Sequence, residues 1–167
     1  MPYVVALRPP GNIAKEVADL QRTVQREYGL VSAVALPPVT ILAQTQQPPE
    51  RSFLEDTSVG AFTALRPQRI RLSTAALELA LEPHSPLLDA VASFFGTDDF
   101  RPGFFLGDTR EARGITEEDM ATLPVPAFTL RSAWLSIFEL RSSNPDTWWE
   151  DLVWIERWRS RTLRMRG

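Results

Sequence analysis

The chain has 167 residues, enough for one domain with a sizeable core, and 44% of them are hydrophobic. Its net charge of −3 gives no overall attraction to nucleic acid, and the absence of cysteine excludes disulfides, thiolate nucleophiles and Cys-ligated zinc or iron–sulfur clusters. No apolar run reaches the roughly 18 residues that span a bilayer. We read no signal peptide in Met1–Pro10, so we expect a cytoplasmic protein with no membrane contact.

The N-terminal segment predicts a buried strand followed by an amphipathic helix. Tyr3–Leu7 has the composition of a strand, and a Pro-Pro-Gly sequence ends it. Asn12 is then the expected N-cap, and Gly29 the expected left-handed C-cap. Between them, apolar residues recur at helical spacing: Ile13, Val17, Leu20, Val24 and Tyr28.

The middle of the chain predicts strands with one capped helix. Leu30–Leu36 and Val39–Ala43 are both rich in strand-forming residues and flank a Pro-Pro break. Arg69–Leu81 contains one or two further strands. Ser85 is the expected N-cap of a helix with proline at its first position, where the missing N–H costs nothing.

The C-terminal third predicts more strands and a short acidic helix. Pro102–Leu106 is a short apolar strand, and Thr116 opens a helix with acidic residues in its first turn. Phe128–Leu140 and Trp149–Trp158 are the last predicted strands. Because strands also follow one another directly, the order favours an α+β fold with a largely antiparallel sheet.

Among the charged residues, the histidine and lysine counts carry the most information. His84 is the only histidine, so any mechanism that needs two imidazoles in one chain is excluded. It lies just before a predicted helix, which favours a surface or capping role. Lys15 is the only lysine beside 17 arginines. The guanidinium fork suits phosphate, although a GC-rich genome would give the same bias.

One segment resembles a motif of a known family. Leu36–Leu42 reads Leu-Pro-Pro-Val-Thr-Ile-Leu. It is similar to the Pro-His-x-Thr-Leu strand that follows the first strand and helix of the 2H phosphoesterases, the 2'-5' RNA ligase-like proteins. Pro37 and Thr40 match that motif, whereas Pro38 stands at the position of the histidine.

A second segment resembles the family's second motif. Phe100–Gly107 is similar to a Phe-Arg-Pro-His-x-Thr-Leu-Gly strand, with Arg101 matching, Gly103 in place of the histidine and Phe105 in place of the threonine. The short acidic helix and the strands after it also resemble the family, so the resemblance covers nearly the whole chain. It implies one domain over residues 1–167, a bilobal, pseudo-symmetric α+β fold with curved, largely antiparallel sheets, outer helices and a cleft.

The resemblance also implies a site without its usual catalytic groups. In the family, one imidazole acts as base and the other as acid on a 2',3'-cyclic phosphate or a 2'-5' linkage. Because alternate strand residues point the same way, Pro38 and Thr40 should line the cleft with Gly103 and Phe105, while Val39 and Phe104 pack behind. With Arg101, these four are the expected substrate-binding residues. No catalytic residue, metal or cofactor is predicted.

The C-terminus combines arginines with aromatic residues. The arginines are Arg157, Arg159, Arg161, Arg164 and Arg166, and the aromatic residues are Trp148, Trp149, Trp154 and Trp158. Such a mixture can bind single-stranded nucleic acid, while a closing strand with a solvated tail gives the same pattern.

Three functions remain open at this stage. The first is a protein that binds a nucleotide or RNA end without catalysis, and the second is a protein-interaction module with a filled cleft. The third is a phosphoesterase with a different residue set, such as Arg101 with Thr40. Whether the chain is an enzyme is therefore left undecided by the sequence.

Overall fold

The structure is a computed structural model that describes residues 2–73 and 76–165. It contains two antiparallel sheets, which confirms the predicted α+β class. The large sheet has the strand order β2-β1-β6-β7, with β8 also paired to β6, and the small sheet has the order β3-β4-β5. The strands are β1 (Tyr3–Arg8), β2 (Thr40–Thr45), β3 (Arg66–Leu72), β4 (Ala76–Glu82), β5 (Gly103–Asp108), β6 (Ser132–Arg141), β7 (Val153–Arg159) and β8 (Leu163–Arg164).

Helices lie between the strands. They are α1 (Gly11–Tyr28), α2 (Ser32–Ala35), α3 (Arg51–Thr57), α4 (Pro86–Phe94) and α5 (Glu117–Met120), and a 3-10 segment covers Pro145–Glu150. Within the described ranges, none of these helices has the length and apolar content needed to cross a membrane. Predicted strand Arg69–Leu81 corresponds to parts of β3 and β4, and its residues 74 and 75 lie outside the described ranges.

Helix α1 follows the predicted apolar spacing but begins differently. Ile13, Val17, Leu20 and Val24 are buried, and Gly29 adopts the predicted left-handed conformation with φ of 69°. The prediction that Asn12 caps the helix is wrong, because the helix starts at Gly11. The Pro10 carbonyl accepts hydrogen bonds from the Ile13 and Ala14 amides, and no side chain caps the start of the helix.

The predicted strand over Leu30–Leu36 is wrong, because this segment contains α2. The Glu111 carboxylate accepts hydrogen bonds from the Val31 and Ser32 amides at 3.0 and 2.8 Å, and from the Ser32 hydroxyl at 2.6 Å. A distant carboxylate therefore satisfies the orphan amides of a helical turn and overrides a local strand preference.

The caps of α4 and α5 are as predicted. Ser85 accepts the Leu88 amide and Pro86 opens α4. Thr116 forms a reciprocal capping box with Asp119 at the start of α5. Helix α3, by contrast, was not predicted: its start has no side-chain cap, and only Leu54 is buried among its residues. A helix with one buried residue has no apolar stripe to detect.

The large sheet has a different environment on each face. Val5 and Leu7 of β1 belong to the main core, which also includes residues of α1, α4 and the small sheet. Val4 and Ala6 belong to a separate, smaller cluster with Val39 and Phe138. Alternation along β1 therefore divides the sheet into a core face and an opposite face. We refer to the faces of both sheets that point away from the main core as the cleft face.

The two sheets meet where β2 adjoins β5. The Phe105 amide donates a hydrogen bond to the Val39 carbonyl at 3.0 Å. Gln21, a buried residue of α1, donates from its side-chain amide to the carbonyls of Leu36 and Phe105 at 3.2 and 3.3 Å. One glutamine thus connects the helix to the segment before β2 and to β5. It fixes the relative position of these two strands, which contain the motif segments and are called the motif strands below.

We expect Gln21→Ala to lower the free energy of unfolding by about 1–3 kcal/mol, because it leaves two buried carbonyls without this donor. Urea denaturation monitored by circular dichroism measures the change. Gln25→Ala, one turn later on the exposed side of α1, is the matched control and should change the stability by less than about 0.5 kcal/mol. Equal effects of the two substitutions would show that Gln21 does not tie the sheets together.

Candidate ligand-binding cleft

On the first motif strand, the structure reverses the predicted orientation. Thr40 pairs with Leu7 of the main core and is 1% exposed, whereas Ile41 pairs with Ala6 on the cleft face. Directly opposed residues of an antiparallel pair point to the same side of the sheet. The expectations that Thr40 lines the cleft and that Val39 packs behind it are therefore wrong. Pro38, half-buried, lies immediately before Val39.

The residues of this strand on the cleft face are Val39 and Ile41. Val39 belongs to the smaller cluster, and Ile41 packs against it. Leu42 lies in the main core. The strand contains no imidazole.

On the second motif strand, the predicted alternation is correct. Phe104 is fully buried in the main core. Phe105 pairs with Glu78, and Gly103 pairs with Ala80, on the other side of the strand. Gly103 and Phe105 therefore occupy the positions on the cleft face where the second motif would hold its histidine and threonine.

An ion pair occupies the space beside Gly103. A Cβ atom built on Gly103 would lie 2.5 Å from Oε2 of Glu78 and 3.1 Å from Nη2 of Arg71. Arg71 and Glu78 are directly opposed on β3 and β4 and form a 2.9 Å salt bridge. Their side chains are only 14% and 20% exposed. A side chain at position 103 would therefore have to displace the carboxylate.

Burial sets the protonation behaviour of this pair. The pKa of Glu78 is raised above its ordinary value, because burial of the carboxylate outweighs the attraction and hydrogen bond of Arg71. The guanidinium itself does not deprotonate in proteins. The cleft face therefore carries a permanent cation at the second motif, beside a carboxyl group that accepts a proton more readily than an exposed glutamate does.

An aromatic residue from the β6–β7 connection covers Phe105. The Trp148 ring lies 5.8 Å from the Phe105 ring, and its Nε1 donates to Oδ2 of Asp108 at 2.8 Å. Arg110 also donates to both carboxylate oxygens of Asp108. Burial alone would raise the pKa of Asp108, but the hydrogen bonds from Arg110 and Trp148 outweigh it and lower the pKa. The carboxylate is therefore charged at neutral pH and holds Trp148 in place.

A second polar group lies on the cleft face of the large sheet. Arg8 of β1 opposes Trp134 of β6, and Arg159 of β7 opposes Ser136. The Glu156 carboxylate accepts hydrogen bonds from Arg8 at 2.6 Å, Ser136 at 2.7 Å and Arg159 at 2.9–3.0 Å. Burial raises the pKa of Glu156, but these donors outweigh that effect and lower it.

Neither ion pair was predicted from the sequence, although the first of them has a signal there. Arg71 and Glu78 each follow an apolar–polar alternation, with Ile70 and Leu72 on either side of the first and Leu77 and Leu79 on either side of the second. Such a pattern places the charged residue on the face opposite the core. What the pattern does not show is the register that brings these two charges into contact.

Other predicted residues lie apart from the motif strands or at their ends. Arg101 is exposed, before β5 begins. His84 follows β4, its side chain is 71% exposed, and it lies 3.7 Å from Asp89. The prediction of a surface position for His84 is thus confirmed. On the described residues, the nearest charged partner of this imidazole is on α4 and not in the cleft.

The C-terminal arginines and tryptophans that the structure describes have different partners. Arg157 pairs with Glu139 and Arg159 with Glu156. Arg161 and Arg164 are exposed, and Arg166 lies outside the described residues. The aromatic residues have separate environments: Trp158 packs against the main core, Trp154 contacts Phe138 and Trp148 contacts Phe105.

Two antiparallel sheets that meet where β2 adjoins β5, with helices against the core faces, define the α+β fold of this chain. The chain has the LigT-like fold, the one that the resemblance to the 2H phosphoesterases predicted. TT0787 of Thermus thermophilus aligns over 100% of both chains with a TM-score of 0.59 and 14% identity. Apo LigT of E. coli aligns over 98% of both chains with a TM-score of 0.56 and 11% identity.

A further solved structure, LigT in complex with 3'-AMP, aligns over 98% of both chains with a TM-score of 0.52 and 11% identity. No family model matches this chain, and the comparison with curated protein sequences gives no match. At these identities the similarity establishes the fold, and the function has to be inferred from the residues of the cleft face.

We expect Thr40→Val to raise the free energy of unfolding by about 1 kcal/mol and to leave the affinity for 3'-AMP unchanged. Among the described residues, the buried Oγ1 of Thr40 has no hydrogen-bond partner, so its removal relieves an uncompensated desolvation cost. Chemical denaturation and a ligand titration measure the two quantities. A loss of affinity without a loss of stability would return Thr40 to the binding site.

Proposed function

We propose that this chain binds a nucleotide or an RNA end in its cleft and does not cleave it by a two-histidine mechanism. One observation carries the proposal: the Arg71–Glu78 ion pair lies where a side chain of residue 103 would begin. At this position the chain has a guanidinium that stays protonated, paired with a carboxyl group, and no imidazole that titrates near neutral pH.

The chemistry of the pair suits binding better than proton transfer. A guanidinium offers a planar fork of N–H donors that matches two phosphate oxygens. General acid–base catalysis instead needs a group that titrates near the working pH, which arginine does not. Val39 and Ile41, at the first motif, supply neither a proton nor an acceptor. The cleft face thus has a guanidinium that suits phosphate, while it has no imidazole to act as acid or base.

The structural neighbours are consistent with this proposal. E. coli LigT has been solved in complex with NADP+, with 97% of both chains aligned, and in complex with 3'-AMP. Both ligands combine phosphate with an adenine base. Phe105 lies on the same strand face as Gly103, two residues away, and could stack a base once Trp148 moves aside.

The contact of Trp148 with Phe105 favours a second function. If Trp148 stays in place, the second motif position is covered, and the chain acts as a protein-interaction module with a filled cleft. The hydrogen bond to Asp108 supports this alternative, because it anchors the covering ring. The raised pKa of Glu78 favours the third function, a phosphoesterase in which this carboxyl group replaces an imidazole.

Two further expectations stay predictions. Exposed Arg161 and Arg164 support contact between the C-terminus and RNA. If they bind RNA phosphates, their substitution should make the RNA affinity less dependent on salt concentration than in the wild type.

A cytoplasmic location is tested by fractionation of cells that express the tagged chain.

We expect wild-type protein to bind 3'-AMP and to hydrolyse 2',3'-cyclic nucleotides at the background rate. Arg71→Gln combined with Glu78→Gln should weaken 3'-AMP binding about tenfold, the loss expected for one charge-assisted hydrogen bond. The double substitution avoids an unpaired buried carboxylate. Calorimetry measures binding, and a discontinuous phosphate-ester assay measures hydrolysis.

The matched control is Arg22→Gln with Asp19→Asn, which neutralises an exposed ion pair on α1. It should leave both quantities unchanged. Turnover in the wild type that Glu78→Gln abolishes would replace our proposal with the phosphoesterase alternative. An absence of nucleotide binding, in the wild type and in Trp148→Ala alike, would favour the interaction module.

A further inference from the structure

The donors around Glu156 converge in the way that a phosphate site requires. Two guanidinium groups and one hydroxyl point at the two oxygens of a single carboxylate. The donors come from three neighbouring strands, β1, β6 and β7, so the sheet itself sets their spacing. Sites built on strands hold their groups more precisely than sites on loops.

The charges of this group do not balance. Arg8 and Arg159 supply two positive charges, and Glu156 supplies one negative charge. The side chains of Arg8 and Glu156 are each 21% exposed, whereas Arg159 is 51% exposed and reachable from solvent. A partly buried region with an excess cation attracts an anion more strongly than the net charge of the chain suggests.

Trp134 adds an unused donor. Both guanidinium groups lie over its ring, Arg8 at 5.6 Å and Arg159 at 4.7 Å from the centroid. Among the described residues, its buried indole N–H has no hydrogen-bond partner. Buried donors are normally satisfied, so this N–H is a donor that an acceptor bound nearby can use.

We infer that Arg8, Ser136 and Arg159 form a phosphate-binding seat on the large sheet, in which the Glu156 carboxylate is a built-in competitor. A phosphate group of the ligand takes over the donors that Glu156 holds, and its extra oxygens give the indole N–H of Trp134 an acceptor within reach. This seat lies on different strands from the Arg71–Glu78 pair. The inference rests on the proposed function only in taking the anion to be phosphate.

If Glu156 competes with phosphate for these donors, removing its charge should strengthen phosphate binding, which would not follow if Glu156 had only a structural role. Glu156→Gln removes the charge of the competitor at constant shape and should strengthen binding of inorganic phosphate and of 3'-AMP about tenfold. Glu156→Gln with Arg159→Gln should remove that gain. Calorimetry on the full chain gives the dissociation constants, and the quenching of Trp134 fluorescence, compared with Trp134→Phe, reports whether the anion lies beside the indole.

Glu139→Gln is the matched control. Glu139 is likewise bridged by two arginines, Arg141 and Arg157, but it lies on the opposite face of the large sheet, since it is directly opposed to Tyr3. Glu139→Gln makes the same change in net charge and should leave phosphate affinity unchanged. A gain equal to that of Glu156→Gln would show a general charge effect and overturn the inference.

The outcomes separate this inference from the proposed function. Nucleotide binding that is identical in wild type and Glu156→Gln overturns the seat and leaves the proposed function standing. Phosphate binding that appears only in Glu156→Gln supports the seat and argues against nucleotide binding by the native chain. If Glu156→Gln binds neither phosphate nor 3'-AMP, the seat is overturned. Should that variant unfold, Ser136→Ala in the wild-type background tests the seat by a loss of phosphate affinity.

Discussion

The relative position of the two sheets depends on the hydrogen bond that the Phe105 amide donates to the Val39 carbonyl. It joins the edge of the large sheet to the edge of the small sheet at the two motif strands. Gln21 reinforces it from the core side by binding the carbonyls of Leu36 and Phe105. Because these contacts fix the strands edge to edge, alternation on each strand decides which residues reach the cleft face. The composition of the candidate site follows from that alternation.

Both sheets place an arginine–carboxylate pair on the cleft face, with different electrostatic character. Glu78 has one arginine partner and a raised pKa, so it accepts a proton more readily than an exposed glutamate does. Glu156 has three donors and a lowered pKa, so it stays ionised and holds its donors. A partly buried carboxylate is tolerated only when such partners compensate for its lost hydration. These partners supply guanidinium donors on the cleft face of both sheets, which is the property that the proposed binding of phosphate requires.

A structural element could be predicted from the sequence when its stabilising contacts lie close together along the chain. Gly29 and Ser85 were predicted correctly because each acts within one helical turn. The helical state of Ser32–Ala35 was not predictable from its own residues, since its amides bind Glu111, about 80 positions away in sequence. Local signals of this kind explain why the fold class was predicted and this element was not.

The candidate site shows the same division. The absence of imidazoles from the motif strands followed from composition alone, because His84 is the only histidine. The orientation of Thr40 could not be predicted from composition. The Pro-Pro pair leaves open which alternate residues of the strand face the cleft, and only the pairing of Thr40 with Leu7 decides it. A one-residue slip exchanges the two faces of a strand. Contacts such as Arg71–Glu78 depend on strand register and lie beyond pattern recognition.

Gly103 has a consequence for how such a sequence can change over time. A Cβ at this position would meet the Glu78 carboxylate, so a histidine here and the Arg71–Glu78 pair compete for one volume. A side chain at position 103 therefore requires the Glu78 carboxylate to move, which weakens its pairing with Arg71. Positions 71, 78 and 103 should vary together among relatives of this chain, as one inherited unit. A relative with a larger residue at 103 should carry a small or uncharged residue at 78.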